Sequence, residues 1–372
     1  MSHRSTTVEA TWRRFSPLAK KAGITRVADV TGLDTLGIPV FTAIRPMGRS
    51  LSTQQGKGIS APHARVSALM ESLETWTAEN LALSTVRASA KKLGARAVDV
   101  RELARPRGRL DRDASWRWVE GVDLVTDAPI LVPEQAVTLD TTFTTPPVFD
   151  ISSNGLASGN TVNEAVVHAL CEVLERDAEA AWRRAGSDRR IVLDTIPDPV
   201  CRDLIDRVTA TGARVFLWDL GGVIPVCGCA IMEDPREPAW RTLGMYQGFG
   251  AHVRPELAIA RAITEAAQTR LTYIVGARDD FFPFDHERST DPELLVEIWD
   301  RLTAPCDEPA TFEDLGGVET NTVAEDFDAL MDITVASGAE QIIAVDLTHP
   351  KLGVPVVKVI VPGAAVDVEA MG

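Results

Sequence analysis

The chain has 372 residues, with 38 basic against 53 acidic, a formal net charge of −15, 45% hydrophobic residues and 24% charged ones. That balance describes a folded globular chain with one large core or two smaller ones, and excludes a disordered one. No apolar run approaches the roughly 20 residues of a membrane helix, no apolar segment follows Met1-Ser-His-Arg to make a secretory signal, and the acidic balance argues against bulk nucleic-acid binding, which rests on neutralising phosphates.

In chain order, the pattern predicts a helical segment from Thr6 to Ala22 and a strand over Ile38–Arg45, where Val40, Thr42 and Ile44 alternate. A glycine-containing loop, Ser52–Ser60, leads into a long helix from about Ala61 to Leu81. Residues 101–113 carry Arg101, Arg105, Arg107, Arg109 and Arg112, which read as a solvated basic loop, with a contact to an acidic peptide leader or partner as the other reading. A second long helix runs from Val162 to Ala185 and opens on a capping box, Thr161 with Glu164. Val215–Trp218 and Val226–Met232 read as strands, and a third long helix spans Pro255 to Val275. Ile342–Leu347 and Val354–Val361 are apolar β runs forming a hairpin-like pair. No low-complexity linker divides the chain. The expected fold class is mixed α/β (α+β), with an N-terminal extension over 1–50, one compact domain over 51–363 and a short tail over 364–372.

Cys171, Cys201, Cys227, Cys229 and Cys306 contain no C-x-x-C pair, and the six histidines show no metal-ligand spacing. A disulfide framework and a structural zinc site are therefore disfavoured, and the expected compartment is the cytoplasm.

The most informative feature is a three-fold recurrence on the long helices: Ser67-Ala-Leu-Met-Glu71-Ser-Leu-Glu74, His168-Ala-Leu-Cys-Glu172-Val-Leu-Glu175 and Arg261-Ala-Ile-Thr-Glu265-Ala-Ala-Gln268. Residues at i, i+3 and i+4 share a helix face, so Ser67, Glu71 and Glu74 form one ladder and His168, Glu172 and Glu175 another. Each ladder alone reads as a charged, solvated face. If the helices converge, four carboxylates meet, and an oxygen-only cluster suits Mg2+ shared with phosphates. A di-iron site would want Glu-x-x-His, which the ladders lack. Arg176 beside Glu175 either bridges phosphate oxygens or pairs with the glutamates. Lys57, in Gln-Gly-Lys-Gly, sits where backbone N–H groups receive an anion, though the tetrad is no P-loop. Asn160 before the second helix ordinarily caps or turns.

Taken together, these segments resemble the YcaO family. The resemblance rests on Gly56-Lys-Gly58 with Ser67-x-x-x-Glu71-x-x-Glu74, on Asn154-Gly-Leu-Ala-Ser-Gly-Asn160-Thr-x-Asn-Glu164, on Glu172-x-x-Glu175-Arg176-Asp177, and on Glu265-x-x-Gln268-x-Arg270 with Gly276-Ala-Arg-Asp-Asp280. It spans roughly residues 50–363. It implies three helix-bearing units packed on β-sheet, with carboxylate ladders converging on a nucleotide site. It also implies ATP and Mg2+ as cofactors, and activation of a peptide backbone amide by phosphorylation of its oxygen. By the resemblance, Glu71, Glu74, Glu172 and Glu175 correspond to Mg2+ ligands. Lys57, Ser67, Asn160, Arg176, Gln268 and Arg270 correspond to ATP contacts, and Arg176 and Glu172 to catalytic positions. The family's late Q-x-x-x-R spacing is not met from Gln268, since Thr272 stands there.

The activated carbon is attacked by sulfide, giving a thioamide, by a Cys, Ser or Thr side chain, giving an azoline, or by an amine, giving a macroamidine. The chain ends without the Pro-x-Pro-x-Pro tail of many azoline formers. Its opening, with Thr11-Trp-Arg-Arg14 and Ile24-Thr-Arg-Val-Ala-Asp-Val-Thr-Gly-Leu33, is most similar to members paired with TfuA-like proteins in thioamide formation. The expected partners are a precursor peptide or protein and a TfuA-like or separate leader-peptide-binding protein, with a homodimer compatible and no nucleic acid or membrane. A non-catalytic nucleotide-binding accessory protein is the alternative of another class.

Overall fold

The computed structural model describes residues 3–103, 110–142, 147–237, 241–280 and 282–365. Its strands are β1 (Arg26–Asp29), β2 (Val40–Ile44), β3 (Thr53–Lys57), β4 (Val86–Ser89), β5 (Ser115–Asp123) and β6 (Ala128–Pro133). They continue with β7 (Leu156–Ser158), β8 (Arg214–Asp219), β9 (Val226–Met232), β10 (Tyr246–Ala251), β11 (Ile343–Asp346) and β12 (Val356–Ile360). The helices are α1 (Val8–Phe15), α2 (Ala61–Glu79), the short α3 (Ala90–Leu93), α4 (Val162–Ala185) and α5 (Pro199–Thr209). After these come α6 (Pro255–Val275), α7 (Pro283–Ser289), α8 (Pro292–Thr303) and α9 (Val323–Ala336). No helix is long and apolar enough to cross a membrane among the described residues.

The fold is mixed α/β, with three antiparallel sheets among the described residues, each serving one long helix. β1-β2-β3 carries α2, β8-β9-β10 carries α6, and the central sheet β4-β5-β11-β12-β7, with β6 on β5, carries α4 against β12 and β7. The boundary expected at residue 51 falls inside the first sheet, between β2 and β3. Arg105, Arg107 and Arg109 of the basic run, and most of the tail from 364, lie outside the described residues. Arg101 is bound to Asp99, and the Arg112 carbonyl accepts from the Lys91 N–H.

Local chemistry sets the helix ends. Thr161 caps α4 by accepting the Glu164 N–H at 3.1 Å, and Gly186 stops it in the left-handed region at φ 63°. α6 starts on Pro255 and ends at Gly276, φ 58°. The box at Thr161 is only half formed. The Glu164 carboxylate accepts instead from the Ser5 N–H at 3.1 Å, from the Ser5 hydroxyl at 2.5 Å and from Asn160 Nδ2 at 3.1 Å, and pairs with Arg4 at 3.2 Å.

The loop expected over Ser52–Ser60 is in its first half a strand. β3 pairs with β2 from Val40↔Lys57 to Ile44↔Thr53. Its polar composition hid it, because its side chains are satisfied by helices rather than by water. Ser72 of α2 donates to Gln54 Oε1 at 2.9 Å, Thr272 of α6 donates to Gln55 Oε1, and Gln268 donates to the Gln55 carbonyl at 2.7 Å.

The alanine of each recurrent motif, Ala68, Ala169 and Ala262, is fully buried. In two of the three units it packs on a glycine: a Cβ on Gly56 would meet the Ala68 nitrogen and Ala64 oxygen, and one on Gly248 would meet Ala266 N and Ala262 O. α2 and α6 thus lie directly on their strands. Gly56→Ala is expected to destabilise the protein by about 2–3 kcal/mol, since backbone must give way. A lower urea midpoint with unchanged slope reads this out, and an unchanged midpoint refutes the close packing.

Candidate active site

With α2, α4 and α6 pinned on their sheets, their recurrent glutamates turn into one cavity of about 780 Å3, within the size range of small-molecule sites. α2 supplies Ser67, Glu71 and Glu74; α4 supplies His168, Glu172, Glu175 and Arg176; α6 supplies Arg261 and Glu265. β3 delivers Lys57 to the same wall, and Asn160 lines it at the start of α4. Lys57, Ser67, Asn160, Arg176 and the four ladder glutamates expected from the sequence are therefore gathered in one place.

Two expected contacts are not. Arg270, on α6, is fully buried and turned away, with its guanidinium on Asp34 at 2.8 and 3.1 Å and on Glu233 at 2.7 Å. It ties α6 to the segment before β2, which corrects its placement at the nucleotide. Gln268 is outside the lining too, held on the Gln55 carbonyl, so it positions β3 rather than facing the cavity.

The electrostatics divide the carboxylates in two. Burial raises Glu71, Glu172 and Glu175 from the ordinary carboxyl value of 4.5 to about 7, against the pull of Lys57 on the first and Arg176 on the other two. Burial, with Glu71 alongside, pushes Glu74 well above the ordinary carboxyl value. Glu265 goes the other way: burial opposes its charge, but Lys57 in direct ion-pair contact and Arg176 at 3.9 Å hold it below the usual range. Arg176 bonds Glu179 at 2.7 Å and stands 3.6 Å from Glu175. Burial works against its charge, and the surrounding glutamates outweigh it and keep the guanidinium firmly protonated.

The sequence reading missed several wall residues. Arg4 enters from the N-terminal segment, and Arg261 donates to His168 Nδ1 at 2.8 Å. Arg278 and Asp280 pair at the rim. Lys358 of β12 is buried behind the wall, lowered to about 8 by burial with Glu172 and Glu74 opposing. Nothing in a three-residue stretch such as His3-Arg4-Ser5 carries a pattern. Lys358 did leave a signal, as the one charge in an apolar strand.

A second cluster, His3, His252 and Asp326, has metal-like spacing, with His3 Nδ1 at 2.9 Å and His252 Nε2 at 3.7 Å from Asp326 Oδ2. Its hydrogen bonds oppose a metal. Arg254 donates its guanidinium to His3 Nε2 and its backbone N–H to His252 Nδ1, both at 3.1 Å. Each ring must then turn a protonated nitrogen toward Asp326, where a metal needs a bare one. The cluster fastens the N-terminal segment.

A family model described as YcaO cyclodehydratase, ATP- and Mg2+-binding, matches residues 55–365. The chain belongs to the YcaO family. A Rhizobium leguminosarum bv. trifolii protein encoded in the region 3′ of tfuA is 36% identical, over 98% of this chain and 89% of that one. The structure of YcaO from Methanopyrus kandleri bound with AMPPCP and Mg2+ matches with a TM-score of 0.78 and 27% identity, over 97% of this chain and 92% of that one. A heterocyclase in complex with substrate and cofactor shares the fold, with a TM-score of 0.84 and 22% identity, over 98% of this chain and 53% of that one.

ATP and Mg2+ are the cofactors of this YcaO protein, and the residues present fit them. The donors are oxygen only, and burial, opposed by too few protein cations, raises all four carboxyls above their ordinary value; a hard divalent ion would ionise such a set. A raised folded pKa means that the folded state binds the proton more tightly. The stability from Glu71, Glu172 and Glu175 is therefore full below pH 4.5 and lost as pH rises through about 7. Without divalent ions the melting temperature is expected to fall between about pH 5 and about pH 8. Mg2+ should recover it, and Glu172→Gln should remove one share, at most about 3 kcal/mol. A fall that neither Mg2+ nor Glu172→Gln alters would place these carboxylates in water.

Proposed function

We propose that this YcaO protein forms a thioamide in a peptide or protein. The γ-phosphoryl of ATP is transferred to a backbone amide oxygen, sulfide adds to the activated carbon, and phosphate leaves with that oxygen. The observation that carries the reading is the convergence of Glu71, Glu74, Glu172 and Glu175 from two helices, with Arg176 and Lys57, in one buried cavity. The tfuA-region relative supports sulfide as the nucleophile and a TfuA-like protein as the partner that supplies it.

Phosphoryl transfer is mainly positioning and charge stabilisation. Glu71, Glu74, Glu172 and Glu175 would hold Mg2+, which offsets triphosphate charge when bound. Arg176, fixed between Glu175 and Glu179, is oriented by its acidic neighbours before any ligand arrives, and its charge would stabilise that of the transferring phosphoryl. Lys57, held on Glu265, adds a second cation beside it, since Arg176 stands 3.9 Å from the same carboxylate. Ser67 and Asn160 offer neutral hydrogen bonds to the nucleotide.

The family description as a cyclodehydratase favours a second reading, in which a side chain of the substrate attacks and water is lost overall. Product mass separates the two: oxygen-to-sulfur exchange adds mass, and ring closure removes one water.

Calorimetry on Mg2+-ATP is expected to give binding near micromolar, about −8 kcal/mol, lost in Glu172→Gln with the fold retained. ADP release should then depend on peptide. Nucleotide binding that Glu172→Gln leaves intact would sink the site assignment, and binding without peptide-dependent turnover would make the protein an accessory.

A further inference from the structure

Lys358 stands in Val354-Pro-Val-Val-Lys-Val-Ile-Val361, a run otherwise without charge. Along β12, Val357 and Val359 face the core under α4, and Lys358 takes the opposite face with Val356. It is only 5% exposed. Its Nζ donates to the Ser152 carbonyl at 2.6 Å, and Ser152 lines the cavity. From there it lies within electrostatic reach of Glu172 and Glu74, without ion-pair contact to either. A valine or methionine would fill this place at lower desolvation cost, so the charge needs a reason.

The local charge balance provides one. Among the described residues, Glu265 is matched by Lys57, Glu179 by Arg183 and Asp280 by Arg278. Glu71, Glu74, Glu172 and Glu175 are left facing Arg176, Arg261 and Lys358. The carboxylates outnumber these cations, and without Lys358 the excess would be larger.

We propose that Lys358 is a positioning residue, the resident counter-cation of the carboxylate cluster, which weakens the cluster's hold on a free divalent ion so that the ion enters with the nucleotide and not before it. The proposal rests on the nucleotide reading above. Lys358 is buried on a strand packed into the core and is not among the residues lining the cavity, so it offsets the carboxylates' charge without occupying the place of a ligand. A free metal ion therefore meets a partly neutralised cluster. A metal–triphosphate complex, which is itself anionic, meets Arg176 and Lys57 in the cavity.

The test uses Mn2+, whose unbound fraction is read directly by electron paramagnetic resonance, on the full chain at neutral pH. Without nucleotide, Lys358→Met is expected to bind Mn2+ at least about tenfold more tightly than wild type, ~1.4 kcal/mol, while Lys358→Arg stays near wild type. Damage to the site can only weaken metal binding, so tightening is a signature that a purely structural role does not produce. An affinity for Mn2+ in folded Lys358→Met at or below that of wild type overturns the proposal. If Lys358→Met loses its cooperative melt, Lys358→Gln, which keeps a donor for Ser152 without the charge, carries the same expectation. Loss of fold in both neutral variants, with Lys358→Arg folded, also overturns it, because the charge would then serve folding. Mn2+-ATP binding to wild type is measured alongside: its absence overturns the nucleotide reading itself, whereas normal binding with no tightening in the neutral variant overturns the role of Lys358 alone.

Discussion

Like charges brought together out of water are the constraint on which this structure turns. Glu71, Glu74, Glu172 and Glu175 sit close enough to raise one another's proton affinity, and Glu265 joins them only under two cations. Such a cluster survives only if the backbone beneath it is held rigidly, since any loosening would let the carboxylates turn to solvent. The recurrent motif supplies that rigidity. In each helix the alanine three residues before the first glutamate is fully buried. A step of three residues rotates about 300° around the helix, so fixing the alanine against its sheet also fixes the direction of the glutamate. Gly56 and Gly248 let two of the helices settle on their strands. The motif is thus a packing device and a ligand-aiming device at once, which explains why alanine recurs together with glutamate.

The cavity also carries basic and neutral donors. Arg4, Arg261, His168 and His252 line it, and burial, with neighbouring guanidiniums, holds both histidines neutral. The charge among these four belongs to arginine, and the imidazoles add hydrogen-bonding capacity without titrating. The N-terminal segment supplies Arg4 and is fastened in place: His3 is locked on Asp326, and Ser5 and Arg4 on Glu164, while Thr11 and Arg14 bind the side chain and carbonyl of Asn160. Asn160 and Glu164 therefore reach the cavity already braced by the chain's opening residues. A cavity lined by carboxylates and arginines together is an arrangement that a metal–polyphosphate complex, carrying both signs, matches better than a free cation or a free anion does.

What could be read from the sequence was whatever had a local cause. The three long helices carry their own start and stop signals, and α4 and α6 fall on the expected residues because Thr161, Gly186, Pro255 and Gly276 fix them. The ladders follow from helical period alone. β3 was hidden because Gln54 and Gln55 are polar residues satisfied by tertiary partners on α2 and α6, which no window of the sequence contains. Arg270 was misplaced for the complementary reason: its spacing resembled a site residue, but Asp34, distant in sequence, captures its guanidinium. The half-open capping box at Glu164 is a third instance, where a carboxylate suited to a local role is drawn to Ser5 and Arg4.

The cysteines bear on where sulfur comes from in the thioamide reading. Attack on an activated amide requires a thiolate or sulfide, and a thiol contributes only if its pKa is brought toward neutrality by positive charge and access to water. Cys171, on α4 between His168 and Glu172, is the cysteine nearest in sequence to the ladders, yet its side chain is buried, and burial raises it to about 12 despite Arg261. Burial likewise raises Cys201, Cys227 and Cys229. Cys306 donates to the Asp188 carbonyl and is not among the residues lining the cavity. Among the described residues no cysteine lines the cavity, and the thiol nearest the ladders is held protonated by burial, so none is placed to carry a persulfide there. In that reading the protein activates the oxygen, and sulfur reaches the cavity from outside the chain, which makes the division of labour with a sulfur-delivering partner a consequence of where these thiols are buried.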